Sequence, residues 1–181
     1  MPRQLLYADE QPSRKCMPGK DRRWQDVPAD LFRKLSEAGQ GKIDWPLFIS
    51  GPSGIGKSCA ALVLADHSTS AGYAFAQSLP SIRIEDRDKW SGLIRRKLLI
   101  VDELARSTEE VSPIHRTSLQ LLLDEREGEG NVANIFIANA LPDKVYEIYG
   151  EKLESRMCSG TLLVSTGEDR RFSCGQHNAK K

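Results

Sequence analysis

Short apolar runs alternate along the chain with segments in which apolar residues recur at helical spacing. The apolar runs have the length of buried strands, and the segments between them are long enough for helices. Because strands that are separated by helices run parallel, we expect an α/β fold with a mostly parallel sheet covered on both faces. The five predicted strands are residues 47–50, 73–77, 97–102, 132–138 and 161–165.

The segments between these runs predict the helices. Ser112 followed by Pro113 has the order of a helix cap and first turn, and apolar residues keep helical spacing from there to Arg126. Ala71 and Gly72 are interpreted as a turn. The predicted helices are 29–38, 57–66, 113–126 and 142–157, the last with a break near Gly150, while 79–94 is expected to be a loop with some helix at 87–94.

The 181 residues fit one domain with polar ends. Residues 1–27 carry several prolines and charges, and we interpret them as a flexible N-terminal arm. Residues 28–172 form the predicted domain, and residues 173–181 a flexible tail.

Charge and hydropathy narrow the class of protein. The chain has 26 basic and 25 acidic residues, so it lacks the global positive field typical of nucleic-acid binding. No apolar run approaches a membrane span, and the N-terminus lacks a secretory signal, so we expect a cytoplasmic protein with free thiols. Cys174 and His177 have the spacing of half a zinc site, but no second half lies nearby.

The pattern G-x-x-x-x-G-K-S at 51–58 follows the first strand and opens a helix, which is the context of a phosphate-binding loop. Glycines let backbone N–H groups point at a phosphate, and the helix start adds its positive dipole end. Lys57 is expected to reach the β- and γ-phosphate oxygens, and the Ser58 hydroxyl to hold Mg²⁺. The predicted nucleotide-binding residues are Gly51, Pro52, Ser53, Gly54, Ile55, Gly56, Lys57, Ser58 and Cys59.

Two carboxylates follow the strand at 97–102, at the sheet edge where ligands bind. We expect Asp102 to hold Mg²⁺ through water, opposite Ser58, and Glu103 to act as general base on the attacking water. A glutamate directly after the metal-binding aspartate points to nucleoside triphosphate hydrolysis.

Two further side chains are candidates for catalysis. Asn139 ends the fourth strand, where its amide can orient the water or contact the γ-phosphate; asparagine is equally common in turns. Arg156 lies near a helix end and can stabilise the transition state of a nucleotide held by a neighbouring subunit. A surface ion pair of Arg156 with a nearby glutamate is the alternative that the sequence alone favours.

These motifs together resemble the core of an AAA+ ATPase, over about residues 45–172. Their order and spacing are most similar to helicase loaders and transposition helpers of the DnaC/IstB type, related to the initiator DnaA. In that family residues 51–58 correspond to Walker A, 101–103 to Walker B, Asn139 to sensor 1 and Arg156 to the arginine finger. Residues 123–126 are similar to a family helix end that carries an arginine.

The resemblance implies a P-loop NTPase three-layer sandwich with a five-stranded sheet, ATP and Mg²⁺ as cofactors, and a homo-oligomer formed through the ATP sites. It also implies single-stranded DNA and a helicase, transposase or other DNA-processing protein as partners. Residues 167–171 match the last motif of the family only in part, so the resemblance does not assign a sensor role to Arg171. Because about sixteen residues follow Ser165, we expect an AAA+ core without a sizeable C-terminal lid.

Two alternatives to an ATPase switch in replication or transposition stay open. The same loop serves small-molecule kinases, although no arginine-rich lid lies between the second and fourth predicted strands. The chain could also be an adaptor that binds nucleotide without turnover. For DNA contact, Trp24 beside Arg22-Arg23 and Trp90 before Arg95-Arg96 are candidates, but packing is the more common role of tryptophan.

Overall fold

The structure, a computed structural model, describes residues 6–7, 27–104, 111–131 and 133–166. Its six strands form one sheet in which every pairing is parallel, with the order β1-β3-β4-β5-β2-β6. The strands are β1 (Leu6–Tyr7), β2 (Leu47–Ser50), β3 (Ala71–Phe75), β4 (Leu98–Asp102), β5 (Ala133–Ala138) and β6 (Thr161–Val164). The five predicted strands and the parallel α/β fold are therefore confirmed, and β1 adds a short edge strand.

Seven α-helices and a short 3-10 helix (Ala76–Ser78) connect the strands within the described residues. None of them is long and apolar enough to cross a membrane, and within the described ranges no helix follows β6. The helices are α1 (Ala29–Gly39), α2 (Lys57–His67), α3 (Leu79–Glu85), α4 (Arg87–Ile94), α5 (Pro113–Gly128), α6 (Pro142–Tyr149) and α7 (Glu151–Cys158).

Two local predictions were wrong. The loop expected before residue 87 is helix α3, whose residues Leu79 and Ile82 are buried in the core. Helix α4 then starts at Arg87 and is capped by Asp86, whose carboxylate accepts from the Lys89 N–H at 2.9 Å. Gly72, interpreted as part of a turn, lies inside β3. A Cβ on Gly72 would lie 3.1–3.4 Å from side chains of α4, β4 and their connection, so tight packing explains this glycine.

The sheet separates two apolar cores, as expected for a three-layer sandwich. Alternate residues of each strand face opposite sides, so Leu47 and Ile49 lie in the core shared with α1 and α2, while Phe48 lies in the core that contains residues of the other five α-helices. Because both faces are covered, the central strands β2, β4 and β5 are almost entirely apolar and buried.

Arg126 fixes the connection between α5 and β5. Its side chain is fully buried, and burial lowers the pKa of its guanidinium to about 10, so it stays charged at neutral pH. The acceptors are five oxygens: Asn134 Oδ1 at 2.7 Å and the carbonyls of Leu93 (2.7 Å), Ile94 (3.0 Å), Arg96 (2.8 Å) and Ala133 (3.3 Å). Two of these carbonyls belong to Leu93 and Ile94, the last two residues of α4.

We expect Arg126→Met to destabilise the protein strongly. The methionine fills similar space but removes all five of these hydrogen bonds from the interior, at a cost of about 3 kcal/mol or more in the free energy of unfolding. Thermal or urea unfolding followed by circular dichroism measures this. Arg95→Met is the matched control, because Arg95 is exposed and its loss should cost less than about 0.5 kcal/mol. Equal unfolding midpoints for the two variants would contradict this role of Arg126.

Candidate nucleotide-binding site

The sheet topology places the predicted site at one edge. β2 lies between β5 and β6, with Ser50 level with Ala138 and with Val164. The segments that follow β2, β4 and β5 therefore leave the sheet at the same carboxyl edge.

The loop after β2 has the backbone of a phosphate cradle. Gly54 (φ 83°) and Gly56 (φ 97°) lie in the left-handed region, which residues with a Cβ rarely adopt. Gly56 is the N-cap of α2, so the first N–H groups of the helix are available at the same place as the loop N–H groups. This arrangement favours an anion such as a phosphate group.

Two other elements enclose the loop. A Cβ on Gly51 would lie 2.2 Å from the Ser165 carbonyl oxygen, and one on Gly56 would touch Pro28 at 3.4 Å. The Ser165 N–H donates to the Ser50 carbonyl at 2.8 Å, and its hydroxyl donates to the Asp30 carboxylate. The start of α1 and the end of β6 thus hold the glycine loop on both sides.

Lys57 is buried, with 5% of its surface exposed. Its ammonium donates to the Gly51 and Pro52 carbonyls, both at 2.7 Å, and to Asn139 Oδ1 at 2.8 Å. An ammonium carries three protons, and these three oxygens match them. The cation is therefore held inside the loop, beside the helix N-terminus.

Asn139 lies where the sequence predicted, directly after β5 and beside the loop. Its amide oxygen contacts Lys57, and the next residue is fixed because the Ser50 hydroxyl donates to the Ala140 carbonyl at 2.8 Å. The structure thus brings Asn139 and Lys57 into direct contact across 82 residues of sequence.

Asp102 and Glu103 follow β4, and Asp102 is 3% exposed. The Glu103 N–H donates to Asp102 Oδ1 at 2.7 Å, and the Tyr73 hydroxyl donates to Oδ2 at 2.6 Å. Glu103 has a positive φ of 56°, which is unusual for a residue with a side chain and concentrates at functional sites. The Leu104 N–H then donates to the Ile137 carbonyl at 3.0 Å, which ties this turn to β5.

Tyr73 is the residue of the site that sequence reasoning missed. It is 1% exposed and lies in the strand next to β4. A tyrosine in an otherwise apolar strand is only a weak indication of a functional residue. Its buried hydroxyl needs a hydrogen-bond partner, and the sequence does not identify that partner.

Arg156 lies away from the other candidates. It is in the last turn of α7, which leads to the amino end of β6, whereas the glycine loop follows the carboxyl end of the parallel neighbour β2. Its guanidinium contacts Asp124 and Glu127 of α5. Hydrogen bonds from Gln120 and Arg156 lower the pKa of the Asp124 carboxyl. Of the two alternatives for Arg156, the structure therefore shows the surface ion pair. From this position at the amino end of β6, Arg156 cannot reach the glycine loop of its own chain.

The remaining candidates fall into two groups. Ser58 and Cys59 are half-buried in the first turn of α2, and Trp90 is packed in the core with its indole N–H donating to Glu125 Oε2 at 3.2 Å. Outside the described residues lie Trp24, Arg171, Cys174 and His177.

The donor set suits Mg²⁺. Ser58 and Asp102 offer hard oxygen ligands, and α2, which carries Ser58, contacts β4. No group of three or more His, Cys, Asp or Glu side chains in the described ranges could hold a metal by itself. This is usual for Mg²⁺, which binds through one or two protein groups and the phosphates of a nucleotide.

A protein-family model and several solved structures match this fold. The model is that of an RNA helicase family, and it matches residues 47–135, just under half of the chain, from β2 to β5. No curated protein matches the sequence.

Three solved structures illustrate the likeness. DnaI has a TM-score of 0.70 with 14% identity, covering 92% of this chain and 96% of its own. The DnaC helicase loader has a TM-score of 0.61 with 16% identity, covering 76% and 90%. The replication initiator DnaA bound to AMPPCP and single-stranded DNA has a TM-score of 0.61 with 17% identity, covering 79% and 47%, so this chain spans about half of the DnaA chain.

The fold is therefore the one seen in the DnaI, DnaC and DnaA structures. The resemblance derived from the motifs is confirmed at the level of the fold. The roles of the individual site residues stay predictions.

We expect Gly51→Ala to lower stability and abolish nucleotide binding. Its Cβ would lie 2.2 Å from the Ser165 carbonyl oxygen and 2.7 Å from Ile55 Cδ1, so the loop or the end of β6 must move. The expected loss in the free energy of unfolding is about 2 kcal/mol or more, measured by thermal unfolding.

Gly128→Ala is the control, because a Cβ there meets open space at the end of α5. It should leave the unfolding midpoint unchanged or slightly raised. A Gly51→Ala protein as stable as Gly128→Ala would contradict the close approach of the loop to β6.

Proposed function

We propose that this protein is an ATP-binding, Mg²⁺-dependent AAA+ ATPase that acts as a switch in DNA replication or transposition. The observation that carries the proposal is the contact of Lys57 with the glycine loop and with Asn139, at the sheet edge where Asp102 and Glu103 also lie. This contact supports a triphosphate site, because the buried Lys57 ammonium lies between the loop that follows β2 and Asn139, which follows β5. In such enzymes, groups at these two places contact the β- and γ-phosphates.

The residues have distinct roles in this proposal. The loop N–H groups and Lys57 bind and neutralise the phosphates, and Ser58 and Asp102 would hold Mg²⁺, which when bound would offset the negative charge that develops on the phosphates. Glu103 takes a proton from water while the water oxygen bonds to the γ-phosphorus and the bond to the ADP oxygen breaks. Asn139 orients that water or the γ-phosphate.

Arg156 has a role only between subunits. It lies at the opposite edge of the sheet from its own loop, so any contact with ATP must involve a neighbouring copy. To make that contact the guanidinium must exchange Asp124 and Glu127 for phosphate oxygens. This supports a homo-oligomer in which each ATP site is shared.

The proposed partners are suggested by proteins that have a similar fold. DnaC is a helicase loader, and DnaA has been observed with single-stranded DNA. We propose single-stranded DNA and a DNA-processing protein such as a helicase or transposase as the partners of this chain.

The kinase alternative has weaker support. A small-molecule kinase needs a lid that closes over the phosphates, whereas α3 and α4, between β3 and β4, pack their residues Leu79, Ile82, Trp90 and Leu93 into the core. They are therefore part of the sandwich. Phosphate transfer to a small acceptor in place of release to water would reverse this choice.

We expect Glu103→Gln to bind ATP with nearly native affinity and to lose turnover by about 100-fold or more. Binding is measured with a fluorescent ATP analogue, and turnover by phosphate release with and without single-stranded DNA. Glu85→Gln, a matched change at an exposed glutamate of α3, should behave like the native chain. Native turnover in Glu103→Gln would exclude Glu103 as the base, and absence of turnover in every chain would favour the nucleotide-binding adaptor.

We expect a mixture of Arg156→Ala and Lys57→Ala to hydrolyse ATP although each variant alone is inactive. In the mixture, a site with the native Lys57 of one subunit can meet the native Arg156 of the other. Loss of an arginine finger lowers turnover by about 10³-fold or more.

Arg87→Ala, at an exposed arginine, is the control and should keep native turnover alone. If Arg156→Ala alone hydrolyses ATP at the native rate, or if the mixture stays inactive, the shared site is rejected.

A further inference from the structure

The Tyr73 hydroxyl donates a hydrogen bond to Asp102 Oδ2 at 2.6 Å. Both residues are almost completely buried, at 1% and 3% exposure. Tyr73 is the member of this side-chain cluster to which the motifs assign no role.

The strand register explains how the contact forms. Tyr73 is level with Ile100 and Phe75 with Asp102, and all four side chains project from the face covered by α1 and α2. Two residues along a strand span roughly 6.6 Å, which a tyrosine side chain bridges when it leans along the strand. The Tyr73 hydroxyl therefore reaches Asp102 although Tyr73 itself is level with Ile100, two residues earlier in β4.

Phe75 stabilises this orientation. Its ring lies edge-on to the Tyr73 ring, with 5.3 Å between the centroids and an angle of 86° between the planes. Such a pair is a favourable aromatic geometry. Since the tyrosine ring is enclosed by the core, the hydroxyl has a fixed position relative to β4.

Asp102 is oriented from both sides. Oδ2 accepts from Tyr73 and Oδ1 from the Glu103 N–H, so the plane of the carboxylate is set before any metal arrives. Each carboxylate oxygen has two lone pairs, and one remains on each for Mg²⁺ or a water bound to it. A neighbour that orients a metal ligand in this way raises the metal affinity of that ligand.

We propose that Tyr73 is a positioning residue of the Mg²⁺ site, which acts by aiming the Asp102 carboxylate at the metal. The inference rests on the proposed function, because it requires that Asp102 contributes to binding Mg²⁺ with ATP. Tyr73 itself touches neither ATP nor metal.

The test is the Mg²⁺ dependence of ATP binding by Tyr73→Phe. This variant keeps the ring and removes the hydroxyl alone. ATP affinity in EDTA should equal that of the native chain, while the Mg²⁺ concentration that gives half of the Mg²⁺-dependent gain in affinity should rise about tenfold or more. A structural role alone would lower both affinities together or change neither.

Two controls sharpen the measurement. Tyr149→Phe removes another buried hydroxyl, one that donates to the Leu104 carbonyl and not to Asp102, and should leave the Mg²⁺ midpoint unchanged. In an Asp102→Asn background, adding Tyr73→Phe should have no further effect if Tyr73 acts through Asp102.

The outcomes separate the two proposals. A native Mg²⁺ midpoint in Tyr73→Phe, or an equal shift in Tyr149→Phe, overturns the positioning role while ATP binding by the native chain still supports the proposed function. A native chain that binds no ATP with or without Mg²⁺ overturns both.

Discussion

The buried ammonium of Lys57 is the interaction on which the site depends. A buried cation is costly unless its protons find acceptors, and here two carbonyls of the glycine loop and the Asn139 amide provide them. This joins the loop after β2 to the segment after β5. Because Lys57 already has three acceptors, a phosphate must replace at least one of them. Of these three acceptors Asn139 is the one outside the loop, so in the proposed ATP site its amide is the group that would turn when the γ-phosphate enters.

The strands and the glycine loop could be predicted because their signals are local. A parallel sheet covered on both faces needs continuous apolar strands, and β2, β4 and β5 have them. The loop is equally local, since a turn with several positive φ values needs glycines within a few residues of one another. The same argument gave the positions of Asp102 and Asn139, because both end such strands.

The parts that the sequence did not predict depend on contacts between distant segments. Glycine is a residue typical of turns, so the sequence indicates a turn at Gly72. Its place in a strand is explained only by the side chains of α4 and β4 that pack closely around it. Tyr73 contacts Asp102 through the register of two strands, which no spacing in the sequence encodes. Residues 123–126 resemble a family helix end that carries an arginine, and the structure shows that Arg126 bonds to oxygens of α4, of β5 and of Arg96, which supports a structural role.

The ion pairs of Arg156 are compatible with a role between subunits. The carboxylates of Asp124 and Glu127 are 46% and 68% exposed, and ion pairs of such exposed groups contribute only about 0–1 kcal/mol each. A γ-phosphate in a closed interface offers more negative charge and less competing water. In the proposed oligomer the exchange would therefore favour phosphate once two copies meet, whereas in a single chain the carboxylates hold Arg156 at the edge opposite its own loop. In the proposed shared site, the ion pair and the arginine finger are thus two states of one side chain, and assembly of two copies would convert the first into the second.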